Sequence, residues 1–155
     1  MNNSKFKNIK RIVILACADS RKELIEWSYA HKQPIKQHII ISTARTAALL
    51  EGTLNTPVLN LDHGRSGGYQ QVKNLIEENH VDIILLFGNP MKNGKKEPWF
   101  IELVKAAVQK DIVIAYNQAT IDTVLSSISV HHADPEQEDF QQAIRTSLFN
   151  QIQPS

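Results

Sequence analysis

Short runs of consecutive apolar, largely β-branched residues recur along this chain, separated by stretches of helical period. That alternation constrains the fold more than any other feature. Arg11-Ile-Val-Ile-Leu-Ala-Cys17 is continuous rather than alternating, which is the pattern of a strand buried on both faces. Further strands are read at His38–Thr43, Pro57–Asp62, Val81–Phe87 and Ile112–Tyr116. Helices are expected over 21–31, with Leu24, Trp27 and His31 on one side, and from Thr46 to about Gly52. Others are expected from Gln70 to about Asn79, over 99–110, from Ala119 to about Ser127, and after Pro135. Asp19 or Ser20 suits the N-cap of the first helix and Asn117 that of the helix at 119, while Pro34 is read as ending the first unit. Strand–helix pairs in strict alternation predict an α/β fold: a three-layer, doubly wound, parallel five-stranded sheet of Rossmann-like type.

Composition removes several classes of function. The 155 residues are 42% hydrophobic and 21% charged, which excludes a disordered chain and reads as a single domain over 1–155. Lysine plus arginine number 17 against 16 acidic residues, so global charge gives no reason to expect a nucleic-acid polymer or a membrane surface as partner. No apolar run approaches the roughly 18 residues that cross a bilayer. The basic N-terminus lacks a small-residue cleavage site, and no signal peptide is expected. Cys17 is the single cysteine, which excludes internal disulfides and multi-cysteine zinc sites and fits a reduced, cytoplasmic compartment. His131-His132 reads as a solvated pair. No loop has metal-ligand spacing, so neither metal nor cofactor is expected.

In doubly wound sheets the ligand lies outside the carboxyl ends of the strands. That rule selects the loops after residues 17, 43, 62, 87 and 116. The first holds Cys17, Asp19, Ser20, Arg21 and Lys22; the second, Thr43, Arg45 and Thr46. The third is His63-Gly-Arg-Ser-Gly-Gly-Tyr69, the fourth carries Asn89, Lys92, Lys95, Lys96 and Trp99, and the fifth has Asn117 and Thr120. Cations, hydroxyls and glycines beside helix N-termini suit a phosphate, because free N–H groups and the positive dipole end point outward there. Residues 64–68 are not a Walker loop, since no lysine and hydroxyl residue follow.

These loops resemble those of methylglyoxal synthases, phosphate-eliminating lyases acting on dihydroxyacetone phosphate. The likeness runs from about residue 10 to about residue 127 with few or no gaps. It is carried by Ala16–Lys22, Glu26-Trp27, His31-Lys-Gln-Pro34, Gln37-His38, Ser42-Thr-Ala-Arg-Thr46, Gly64–Val72, Asn89-Pro90 and Asn117–Asp122. The ends, 1–9 and about 130–155, diverge, and the family's final strand is missing from the pattern. The resemblance implies a phosphate cradle at Arg21 or Lys22, Thr43, Thr46 and Gly64; Arg45 and Arg65, additions to the family pattern, and the loop residues His63, Ser66, Gly67, Gly68, Tyr69, Lys96 and Trp99 complete the candidate binding set. The resemblance also implies a homo-oligomer and no cofactor.

The catalytic positions depart from the family. Its Gly-Gly-Asp, which places the general base, reads Gly67-Gly68-Tyr69; its Ala-His-Asp reads Ala16-Cys17-Ala18; its His-Asp-Pro-Asp reads Lys96-Glu97-Pro98-Trp99. A neutral phenol is a poor general base. The expectation is therefore a module that binds a phosphorylated small molecule, nucleotide-like if Tyr69 and Trp99 stack on a base, as related domains sense nucleotides in carbamoyl phosphate synthetases. The alternative is an active lyase whose base is Asp19, Glu97, Asp62 or a residue of a neighbouring subunit, with Tyr69 and Lys96 as further catalytic candidates. A third reading makes Cys17 or Tyr69 a nucleophile.

Overall fold

The computed structural model describes residues 9–91, 97–128 and 135–152. Five strands run in parallel: β1 (Arg11–Ala16), β2 (Ile39–Thr43), β3 (Leu59–Leu61), β4 (Ile83–Phe87) and β5 (Val113–Ala115), in the order β3-β2-β1-β4-β5. Val13 pairs with Ile41 on one side and Ile84 on the other, so β1 is the centre of the sheet. The order reverses between β1 and β4, the kind of switch point at which such sheets leave a crevice.

Side chains alternate across each strand and divide the core in two. Ile12, Ile14, Ile40, Leu85 and Phe87 face α1 (Arg21–Ala30), α2 (Lys32–Ile35), α3 (Ala44–Leu54) and α6 (Gln118–Ser127). Val13, Leu15, Ile39, Ile41 and Leu86 face α4 (Gly68–Glu77) and α5 (Pro98–Gln109). The last helix, α7 (Pro135–Gln151), adds Ile144, Leu148 and Phe149 to that second layer, followed by the buried Ile152. Pro34, read from sequence as a stop, lies inside α2; in a four-residue helix its missing N–H forfeits no bond. The second long helix begins at Ala44 rather than Thr46, because Thr43 is still extended (φ −73°, ψ 156°) and takes the N-cap position itself.

The amino ends of the strands are locked by polar contacts. Arg11 donates Nε–H and Nη2–H to the two oxygens of Asp82 at 3.0 and 3.1 Å. His38 is fully buried, and its Nδ1 accepts the Lys10 N–H at 2.9 Å. Arg145 of α7, also buried, donates to the His38 carbonyl at 2.7 Å and to that of Pro57 at 3.2 Å. Burial above all, aided by the charges of Lys10 and Arg145, holds the His38 imidazole down at about 4. The unfolded chain takes up that proton near pH 6.5, the folded one only near pH 4. Stability should therefore be full above about pH 6.5 and fall as pH drops toward 4, by up to about 3 kcal/mol. Urea midpoints at about pH 7.5 and about pH 4.5 measure this. The variant His38→Asn, which keeps an acceptor for Lys10 and cannot titrate, should lose most of the slope.

Candidate functional site

At the carboxyl ends of β1 to β4 the loops enclose a cavity of about 490 Å³. Its floor is built by close backbone approach. The Cys17 N–H donates to the Phe87 carbonyl at 2.8 Å, extending the β1–β4 ladder into the loop. Gly88 sits beside it at φ +108°, and a Cβ there would stand 2.6 Å from the Cys17 Cβ and the Ser20 Oγ. The third loop turns on Gly67 at φ +110°. The Ser66 and Gly68 N–H groups both donate to the His63 carbonyl at 2.9 Å, and a Cβ on Gly68 would fall on the Asp62 carbonyl oxygen.

Of the residues singled out from sequence, Cys17, Asp19, Arg21, Thr43, Arg45, Thr46, His63, Gly64, Arg65, Ser66, Tyr69 and Trp99 line this cavity. Lys22, Gly67 and Gly68 are not among the lining residues. Lys22 is one residue further round α1 than Arg21, about 100° away on a 3.6-residue turn. Gly67 and Gly68 shape the turn from behind. Lys92, Lys95, Lys96 and the pair His131-His132 lie outside the described residues. The fifth loop does not reach the cavity: the Asn117 Oδ1 accepts the Thr120 N–H at 2.9 Å and caps α6. Ala18 and Pro90 also line the wall. Neither has a polar side chain, and they lie in the Ala16–Lys22 and Asn89-Pro90 stretches on which the resemblance rests.

The lining charges are arranged unequally. Arg65 Nη2 contacts Glu97 Oε1 at 3.1 Å, tying the third loop to the start of α5. Arg21 and Arg45 have no ion-pair partner among the described residues. They are the first residue of α1 and the second of α3. A cation is unfavourable in the first turn of a helix, where the dipole end is already positive. Nothing local to either helix explains their placement. The Thr43 hydroxyl makes no hydrogen bond to a described residue, although the residue is only 8% exposed at the mouth of α3. These features together have the chemistry that an anion would require.

The aromatic pair is not open for stacking on both sides. Tyr69 of α4 and Trp99 of α5 stack on each other, centroids 4.1 Å apart and planes within 9°. The stack on a base that the sequence suggested therefore has only an outer ring face to use, because the two rings already cover each other. Burial pushes the Tyr69 phenol above its ordinary value, with charge on Cys17 and Glu97 adding to the effect. Burial likewise raises the Cys17 thiol, with Asp19 and Glu97 adding to it, so the thiolate a nucleophile needs is scarce near neutral pH. Among the described residues no cluster of histidine, cysteine, aspartate or glutamate suits a metal ion.

No family model matches the chain. It is 30% identical over 140 residues to a methylglyoxal synthase of Coxiella burnetii (strain RSA 493 / Nine Mile phase I), covering 88% of this chain and 98% of that protein. A methylglyoxal synthase of Pseudoalteromonas atlantica is 30% identical over 118 residues, 76% of this chain and 87% of the relative. Among solved structures, the crystal structure of methylglyoxal synthase from Elizabethkingia anophelis NUHP1 superposes with a TM-score of 0.67 at 25% identity, over 84% of this chain and 82% of that one. The structural match agrees with the α/β architecture of this chain. On these likenesses the chain belongs to the methylglyoxal synthase family.

Proposed function

We propose that this chain binds a small phosphorylated compound in the 490 Å³ cavity and acts on it as a phosphate-eliminating lyase, with dihydroxyacetone phosphate the first substrate to test. The observation that carries this reading is the meeting, in one cavity, of two helix-N-terminal arginines that have no ion-pair partner among the described residues with the carboxylates of Asp19 and Glu97. Arg21, Arg45, Thr43 and Thr46 hold the phosphate, where charge-assisted hydrogen bonds to a dianion are strongest. Glu97 or Asp19 takes the carbon-bound proton. The electron pair moves onto the carbonyl oxygen as an enediolate forms. It then returns to expel phosphate, which leaves with the C–O bonding electrons. Tyr69 stands where the family resemblance puts the base and is unsuited to that role. The reaction is therefore expected to run slowly: a displaced general base typically costs about 10²–10⁴ in rate.

A second reading, binding without turnover, is favoured by the Tyr69–Trp99 stack, which puts a neutral wall in place of the family's carboxylate. A nucleotide would then lie against one outer ring face only. The two readings separate in a simple sequence of assays. Thermal shift with inorganic phosphate, dihydroxyacetone phosphate and a panel of nucleotides identifies the ligand; saturation at 100 times Kd stabilises by about 2.7 kcal/mol. Methylglyoxal formation at high protein concentration then decides turnover. Its absence despite tight binding of dihydroxyacetone phosphate would sink the lyase reading. Light scattering tests the homo-oligomer that belongs to the same proposal.

A further inference from the structure

The reaction proposed above needs a donor for the oxygen that becomes negative as the carbon-bound proton leaves. We propose that the Tyr69 hydroxyl is that donor, a fixed neutral O–H that hydrogen-bonds the enediolate oxygen of the bound ligand. This inference rests on the phosphate-ligand reading of the cavity.

The ring is held on two sides. One face lies on Trp99 with centroids 4.1 Å apart. The other constraint is Gly64: a Cβ there would stand 2.5 Å from the Tyr69 Cζ and 2.9 Å from its hydroxyl oxygen. The phenol end is thus pressed against the turn that carries His63, Arg65 and Ser66 into the cavity. Only a glycine at 64 permits that approach. The hydroxyl has no hydrogen-bond partner among the described residues, so its O–H is left for a ligand. Cys17, Arg65 and Glu97 line the same cavity as Tyr69. Burial keeps the phenol protonated at neutral pH.

A carboxylate here that had not taken up the proton would repel a developing oxyanion; a phenol attracts it. The donor is already oriented before the charge appears, which is the arrangement that lowers a barrier most effectively. Bond-making and bond-breaking balance without any oxidant or reductant. The base gains the carbon-bound proton, Tyr69 keeps its own while sharing it in a hydrogen bond, and phosphate departs with the C–O electrons.

The test is Tyr69→Phe, which removes one oxygen and keeps the stack. Two probes are titrated by calorimetry: inorganic phosphate, and a phosphorylated hydroxamate that is planar and anionic where the enediolate would be. The wild type should bind the hydroxamate at least about 100-fold more tightly than phosphate, as a mimic of the activated state does. In Tyr69→Phe the hydroxamate should weaken about 10- to 100-fold, the loss of one charge-assisted hydrogen bond, with phosphate affinity unchanged. An unchanged hydroxamate affinity, or equal losses for both probes, overturns the role given to Tyr69 and leaves the phosphate site standing. Failure of the wild type to bind either probe overturns the phosphate reading, and this inference with it. Near-ultraviolet circular dichroism of the variant confirms that the stack survives.

Discussion

Replacing Arg21 and Arg45 together by glutamine should all but abolish phosphate binding while leaving the fold intact or slightly firmer. Each arginine would give a bound dianion a charge-assisted contact of about 1.5–3 kcal/mol, so losing the pair should lower affinity roughly 10²- to 10⁴-fold. Stability should move the other way. Both residues sit in the first turn of their helices, α1 and α3, where a cation opposes the dipole by about 0.3–1 kcal/mol. Loss of binding coupled to a gain in Tm is a signature that a structural role for these arginines would not produce. Calorimetry with inorganic phosphate and a thermal melt of the same samples read both effects. Retained phosphate affinity in the double variant would remove the anion site from this cavity.

Phe87→Ala should cost about 3–5 kcal/mol, a large share of the stability of a domain this size. Phe87 ends β4, is 1% exposed, and its ring lies 4.9 Å from that of Trp27. Its carbonyl also anchors the Cys17 N–H at the floor of the cavity. The truncation therefore opens a void where α1, the helix that begins with Arg21, meets the sheet. A urea midpoint lowered by the equivalent of less than about 1.5 kcal/mol would mean that the helix layer collapses onto the gap, against the packing described here. The sheet is a better scaffold for the site because such collapse is disfavoured in a close-packed interior.

The strands were legible because burial on both faces leaves a continuous apolar run that little else imitates. The centre of the sheet is an instance: Ile12 to Leu15 are all buried, and each points to one of two opposed cores. What the chain order could not supply was spatial order. The placement of β4 beside β1 depends on how helices cover the two faces, which no local pattern encodes. Helix starts were displaced for a nearer reason. Residues such as Thr43 and Gly67 combine extended or left-handed backbone with the N-cap position, so the first turn begins earlier than the apolar periodicity does.

The cavity was found in outline by the rule that ligands lie at the carboxyl ends of parallel strands. Its internal contacts were not. Tyr69 and Trp99 are thirty positions apart in sequence and meet because α4 and α5 pack side by side on one face. The Arg65–Glu97 pair arises from the same adjacency. Spacing also fails to distinguish Arg21 from Lys22: both are cations at the start of one helix, yet only the first lines the cavity.

The ring stack at the cavity wall has an optical consequence. The chain contains two tryptophans, in unlike surroundings. Trp27 is 4% exposed in the core, whereas Trp99 lies on Tyr69 at the edge of the cavity. With Trp27 changed to phenylalanine, near-ultraviolet emission comes from Trp99 alone, against a phenol whose neighbours are the very charges an anion would disturb. Occupancy of the cavity then becomes a colour and intensity that the protein reports without any added label.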